Sequence, residues 1–203
     1  MSHGLLGLLL AGGHGRRAGG PKALKPMAGQ PLWRWQARRM RAAGCAHVAA
    51  VLHPTALWTE AEAHLSMVPA DADAPMFASV QAGLRVLQGL TPTNDATSGW
   101  HRPLVLMLPV DCPMPEVAVV TALLSAVDTV QSAPWSVVRP RHEGRHGHPL
   151  LLAPAFVQRL LGEDPRSARL DLLIRALPAR QALSAEVDMP GVLANFNFDG
   201  VAR

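Results

Sequence analysis

The 203-residue chain contains no tyrosine, and its other aromatics are four phenylalanines and five tryptophans, only 4% of the sequence. Any core must therefore be aliphatic, and a hydrophobic content of 49% is ample for one. The same scarcity leaves no basic patch interleaved with aromatics and no DNA-binding motif, so nucleic acid is not the expected partner. Cysteine is nearly absent too. Cys45 and Cys112 are too far apart to form a metal-binding Cys-x-x-Cys pair. No apolar run approaches the roughly 20 residues that a membrane span needs. The N-terminus has neither the basic segment nor the cleavage site of a secretory signal, and Leu5 to Leu10 is too short for either role. A cytoplasmic setting is expected, and with it free thiols rather than a disulfide. Two phosphate-binding signatures are also missing. There is no Gly-x4-Gly-Lys-Ser/Thr string. Gly13-x-Gly15-x-x-Ala18 imitates a dinucleotide fingerprint, but Gly19-Gly20-Pro21 follow where a helix should open, and the second strand ends in Leu52-His53-Pro54 without a carboxylate.

What is present organises the rest. The apolar run Leu5 to Leu10 reads as a buried strand and ends in a loop that holds five glycines, two arginines and a lysine within residues 12–22. Glycines let a backbone approach a ligand closely, and a strand end with nearby cations makes a phosphate cradle. The formal charge of +4 and a pI near 10.0 suit an anionic ligand, for which a phosphorylated small molecule is the expected class. After Lys22 the pattern predicts a helix over 31–40 that stops near Gly44, a strand over 46–52, and a helix from Thr55 to about Leu65. Arg34 and Arg38 share a face of the first helix, read as a solvated basic surface. A short third strand and an acidic loop with Asp71 follow, then a helix entered at Met76. Residues 91–102 read as a polar loop.

Pro103 to Pro109 is a second strongly apolar strand that runs into Val110-Asp111-Cys112-Pro113. A carboxylate at the carboxyl end of a central strand sits where open α/β sheets bind ligands, although Asp111 could equally cap the helix read over 116–127. Residues 135–139 read as a strand. His142, His146 and His148 invite a zinc site, which the intervening arginines and the lack of a nearby cysteine argue against. Helices over 154–161 and 168–177 and a strand over 180–187 complete the alternation. It predicts one domain with an α/β sandwich and a mostly parallel sheet.

Several of these strings resemble one family, the nucleotidyltransferases acting on molybdopterin and related substrates. Their signature is roughly L-A-G-G-x-x-x-R-M-G followed shortly by Lys. Leu10, Ala11, Gly12, Gly13, Arg17, Gly19 and Lys22 match it, with Ala18 in the methionine position. Met76 to Leu84 resembles the family's helix entry, with Pro75 in place of a glycine and Ser79 as its serine. Pro109 to Pro113 resembles its P-x-D-x-P motif. Gly147-His148-Pro149 resembles the G-H-P turn of the cytidylyl members. Asn195-x-Asn197 resembles an N-x-N tail that lacks its Thr-Pro.

The resemblance implies a Rossmann-like three-layer sandwich and magnesium-dependent transfer of a nucleoside monophosphate to molybdopterin, with release of pyrophosphate. It assigns catalytic roles to Arg17, Lys22 and Asp111. Leu10, Ala11, Gly12, Gly13, Asp71 and Ser79 join Lys22 and Asp111 in holding the nucleotide. Asp111 and Asn197 would hold magnesium, and Arg145 and His148 would face the acceptor. The L-A-G-G string and the N-x-N tail lean towards GTP, which the balance of signs slightly favours as the nucleotide. The G-H-P turn and the short Gly19–Lys22 spacing lean towards CTP. A nucleoside triphosphate, molybdopterin or its metal-loaded form, and a molybdoenzyme or its chaperone are the implied partners, with no nucleic acid or membrane. A sugar or isoprenoid precursor as acceptor, and a non-catalytic nucleotide-binding relative, are the alternatives.

Overall fold

The computed structural model describes residues 4–15, 19–56, 62–71, 73–90, 103–130 and 134–196. In chain order the strands are β1 (Leu5–Ala11), β2 (Pro26–Met27), β3 (Gln30–Pro31), β4 (His47–Leu52), β5 (Leu65–Pro69), β6 (Leu104–Pro109), β7 (Val137–His142), β8 (Arg145–His146), β9 (Leu150–Leu152) and β10 (Ala182–Glu186). The helices are α1 (Leu32–Ala42), α2 (Met76–Gly89), α3 (Val117–Thr129), α4 (Pro154–Gly162) and α5 (Leu170–Arg175).

The main sheet runs β10-β7-β9-β6-β1-β4-β5, with β8 paired to β7 beside it. The pairs β1–β4, β1–β6, β4–β5 and β7–β10 are parallel, whereas β9 runs antiparallel to both β6 and β7. β1 is central, and both its faces are covered. Leu5, Leu9 and Ala11 join a core with α1 and α3, while Leu6 and Leu8 join one with α2, α4 and α5. A strand buried on both faces must be apolar at every position, which is why β1 and β6 read as continuous aliphatic runs. The result is a three-layer α/β sandwich around a mostly parallel sheet. Among the described residues no helix is long and apolar enough to cross a membrane.

The structure departs from the expected elements at a few places. The helix from Thr55 to Leu65 is absent at both of its ends: Pro54–Ala56 forms a single 3-10 turn and the chain enters β5 at Leu65. Nor is the basic face of α1 simply solvated. Arg34 forms an ion pair with Glu62, and Arg38 approaches the same carboxylate at 3.9 Å. β7 continues past Arg139 to His142 and turns through Glu143 and Gly144, both at positive φ, into β8. The expected polar loop over 91–102 lies outside the described residues.

Candidate active site

β1 and β6 lie side by side, but the next strand of the main sheet after β1 in sequence, β4, packs on its other side. The carboxyl ends of two strands whose connections diverge leave a crevice, the usual ligand site of such sheets. Here the crevice opens into a cleft of about 790 Å³. Leu10 to Gly15 form one wall. Gly15 has φ +59°, and its carbonyl accepts a hydrogen bond from the Gly20 amide at 3.1 Å, which closes the loop. A side chain there would collide with the Gly20 carbonyl. The chain is thereby returned so that Lys22, at the start of a 3-10 turn, faces back into the cleft.

Asp111 follows β6 directly. The Val110 amide donates to Leu10 O at 2.9 Å, so the two loops leave the sheet in register. Lys22 Nζ stands 3.2 Å from Asp111 Oδ2, with side chains 31% and 37% exposed. Asp111 is no helix cap, because α3 is capped at Glu116 without a side-chain bond. Ser79 also lines the cleft rather than capping α2, whose N-cap is Pro75. Asp71 lines the cleft too, and one of its carboxylate oxygens accepts the Asp73 amide at 3.0 Å. Among the described residues no three His, Cys, Asp or Glu converge to cage a metal. Asp111 offers the hard carboxylate oxygens that a magnesium ion takes, and it is the residue here that could hold one.

Cys112, beside Asp111, is a thiol and not a thiolate. Burial, and then the Asp111 carboxylate, push its pKa up to about 12, against a lowering by Lys22. Its Sγ donates to Asn195 Oδ1 at 3.1 Å, and the Phe196 amide donates to Asp111 O at 2.6 Å. The C-terminal segment thus supports the Asp111 loop through Asn195 and Phe196. Arg17 and Asn197 lie outside the described residues.

The opposite wall comes from β7, β9 and α5. Gly147 packs against the Val192 carbonyl, where a Cβ would clash, and the His148 amide donates to that carbonyl at 2.9 Å. The His148–Pro149 bond is cis. The His148 ring lines the cleft with its Nδ1 buried and unpartnered among the described residues. Burial lowers its pKa below the usual 6.5 against a weaker raising by Asp111, so the imidazole is neutral at pH 7.

The arginines of this region separate. Arg145 is exposed on the β8 hairpin and does not line the cleft, contrary to its expected place against the acceptor. Arg141 points to Glu186 at 3.2 Å. Arg139 lines the cleft and forms no ion pair or hydrogen bond among the described residues, and its buried Nε is unpartnered. Desolvation lowers its pKa. The strand alternation that puts Val137 inside carries Arg139 to the same face two residues on. That alternation was the available signal for preferring Arg139 to Arg145. Arg175 of α5 lines the same wall, as does Asp171, which is held by Arg169 at 3.0 Å. Nothing in the local sequence marked these two.

The sequence model of the MobA-like NTP transferase domain matches residues 7–182, a span from β1 to the start of β10. The chain belongs to the MobA-like NTP transferase family. It is 34% identical over 126 residues to the bifunctional enzyme IspD/IspF of Ruegeria pomeroyi. That match covers 60% of this chain and only 30% of the relative's length. Among solved structures, the fold superposes on a homologue, from Mycobacterium sp. strain JC1, of Rv0371c of Mycobacterium tuberculosis. The TM-score is 0.68 at 18% identity, covering 96% of this chain and 90% of that one. It also superposes on 4-diphosphocytidyl-2C-methyl-D-erythritol synthase from Anaerococcus prevotii with a TM-score of 0.60 at 9% identity, covering 95% and 90%. At such identities the two superpositions establish the nucleotidyltransferase fold of the MobA-like chain and nothing finer.

Proposed function

We propose that this chain is a magnesium-dependent nucleotidyltransferase. It transfers a cytidylyl group from CTP to the phosphate of molybdopterin or its metal-loaded form and releases pyrophosphate. The observation that carries the reading is the division of charge across the cleft. The Lys22–Asp111 pair stands at the end of β1 and β6, and the guanidinium of Arg139, unpaired among the described residues, stands on β7. Two strand spacings separate β6 from β7, about 10 Å, which is room for an acceptor beside a triphosphate.

The acceptor phosphate is already ionised at neutral pH, so its oxygen can attack the α-phosphorus without a general base. The new bond is from that oxygen to the α-phosphorus, and the bond from the α-phosphorus to the bridging oxygen of pyrophosphate breaks. Such a displacement requires alignment and charge neutralisation. The Leu10–Gly15 backbone would hold the base and phosphates, and Lys22 would exchange Asp111 for a phosphate oxygen. Arg139 would fix the acceptor through two parallel hydrogen bonds. Magnesium held by Asp111 would supply neutralisation of the triphosphate charge. A neutral His148 can hydrogen-bond the acceptor without adding charge.

Support for CTP comes from the folded Gly147-His148-Pro149 turn at the cleft and from the cytidylyl chemistry in the name of one structural neighbour. The opposing sign for GTP is weakened in part, because Asn195 Oδ1 is engaged by Cys112. A second reading, cytidylyl transfer to an isoprenoid precursor phosphate, is favoured by the 34% identity to IspD/IspF. Thermal melts with each nucleotide and magnesium test the first choice. A ligand at a hundredfold excess over its Kd stabilises the fold by about 2.7 kcal/mol. CTP should give the largest shift, and a larger shift with GTP would overturn the cytidylyl assignment. Pyrophosphate release with molybdopterin, compared with release with 2C-methyl-D-erythritol 4-phosphate, decides the acceptor.

A further inference from the structure

Two polar side chains are fully buried among the described residues, Gln36 on α1 and Gln81 on α2. Gln36 sits in the apolar stripe of α1, with Leu32, Trp33, Ala37 and Met40 as its buried neighbours. A packing role alone would be met by an aliphatic residue there. Its amide instead reaches across to the loop after β6 and bonds on both sides of Asp111. Nε2 donates to Val110 O at 3.1 Å and to Cys112 O at 2.6 Å, and Oε1 accepts the Met114 amide at 2.9 Å. Both amide protons are thereby used. Pro109 and Pro113 bring no N–H, and the bonds from Val110 N to Leu10 O and from Phe196 N to Asp111 O leave the carbonyls of Val110 and Cys112 to Gln36. Arg39 of the same helix adds a bond to Met114 O at 3.0 Å.

We infer that Gln36 is a positioning residue for Asp111, whose amide fixes the peptide groups before and after the aspartate so that its carboxylate is presented into the cleft beside Lys22. This rests on the reading that Asp111 holds the magnesium of the nucleotide. Gln81 provides a matched control. It is equally buried and donates to Leu160 O at 2.8 Å and Glu163 O at 2.7 Å, but it acts on the opposite face of the sheet, between α2 and α4.

The test compares Gln36→Met with Gln81→Met by the affinity for Mn2+ in the presence of CTP, read as free Mn2+ by electron paramagnetic resonance. Both variants should melt below the parent. Gln36→Met should raise the Mn2+ dissociation constant tenfold or more, and Gln81→Met should leave it unchanged. Equal Mn2+ affinity in the parent and Gln36→Met would overturn the inference, as would an equal loss in Gln81→Met. Should Gln36→Met fail to fold, hydrogen exchange on the unliganded parent decides. The Met114 amide should be protected to the degree of the Val110 amide, which donates to Leu10 O, and free exchange at Met114 would overturn the claim. Asp111→Asn separates the two readings: if it leaves Mn2+ affinity intact, the metal role of Asp111 falls, while Met114 protection still judges the hold of Gln36 on the loop.

Discussion

The two walls of the cleft handle charge differently. On the β1–β6 wall the cation and the carboxylate neutralise one another at 3.2 Å, and the Asp111 loop is tied to α1 and to the C-terminal segment. On the β7–α5 wall Arg139 is partly desolvated and has no counter-ion among the described residues. A desolvated cation without a partner is costly unless an anion completes it. The first wall is thus assembled without a ligand, and on the proposed function a metal-bound triphosphate would have to exchange with an existing ion pair. On the proposed function the second wall would be completed by its ligand. The contrast predicts that substitutions on the first wall cut turnover, whereas those on the second raise the acceptor KM.

Asp111→Asn should have the largest effect. It keeps size and drops the charge that would hold the metal, so a loss of several kcal/mol in transition-state stabilisation is expected, on the order of a thousandfold in rate. Steady-state rates against magnesium concentration check it, and a variant that titrates like the parent would merge the two walls into one undifferentiated pocket. Lys22→Ala should come next. Loss of a charge-assisted contact costs about 1.5–3 kcal/mol, or roughly 10- to 150-fold in kcat/KM, with the melting curve little changed. Arg139→Ala should raise the acceptor KM about tenfold while leaving the nucleotide KM in place. Arg139→Lys should restore only part, because the planar fork is lost. A change in the nucleotide KM instead would move Arg139 to the other wall.

The smallest effect is on pH dependence. His47, His146 and His148 all have pKa values lowered chiefly by burial. The unfolded chain therefore binds more protons than the folded one below the ordinary histidine pKa of about 6.5, so stability should fall as pH drops through that value. His148→Gln should flatten the slope of melting temperature between about pH 7 and 5.5. An unchanged slope would assign the loss to the other histidines.

Much of the first wall was legible in the sequence because it is local. A continuous aliphatic run, a glycine-rich turn and a lysine are consecutive, and Asp111 follows its strand without a break. Family membership and the three-layer fold follow from the same strings. The second wall depends on pairings that no short string encodes. β9 pairs with β7 only through Val137 and Val138, so Pro140 can continue the strand without losing a ladder bond on that side. That continuation pushes Arg145 out onto a hairpin and leaves Arg139 facing inward. The Glu143–Gly144 turn and the Ala28–Gly29 turn between β2 and β3 both place a non-glycine residue at positive φ. Neither has the Asn-Gly or Asp-Gly pair that marks such turns. Gln36 was invisible for a similar reason, since its three partners lie 74 to 78 residues away.

The measurement that bears most directly on the two-walled account is pyrophosphate release from CTP and magnesium, followed with and without molybdopterin. The account predicts release that needs both magnesium and the acceptor, with one pyrophosphate formed for each acceptor cytidylylated. Binding of CTP without pyrophosphate release, whether molybdopterin or 2C-methyl-D-erythritol 4-phosphate is supplied, would contradict it.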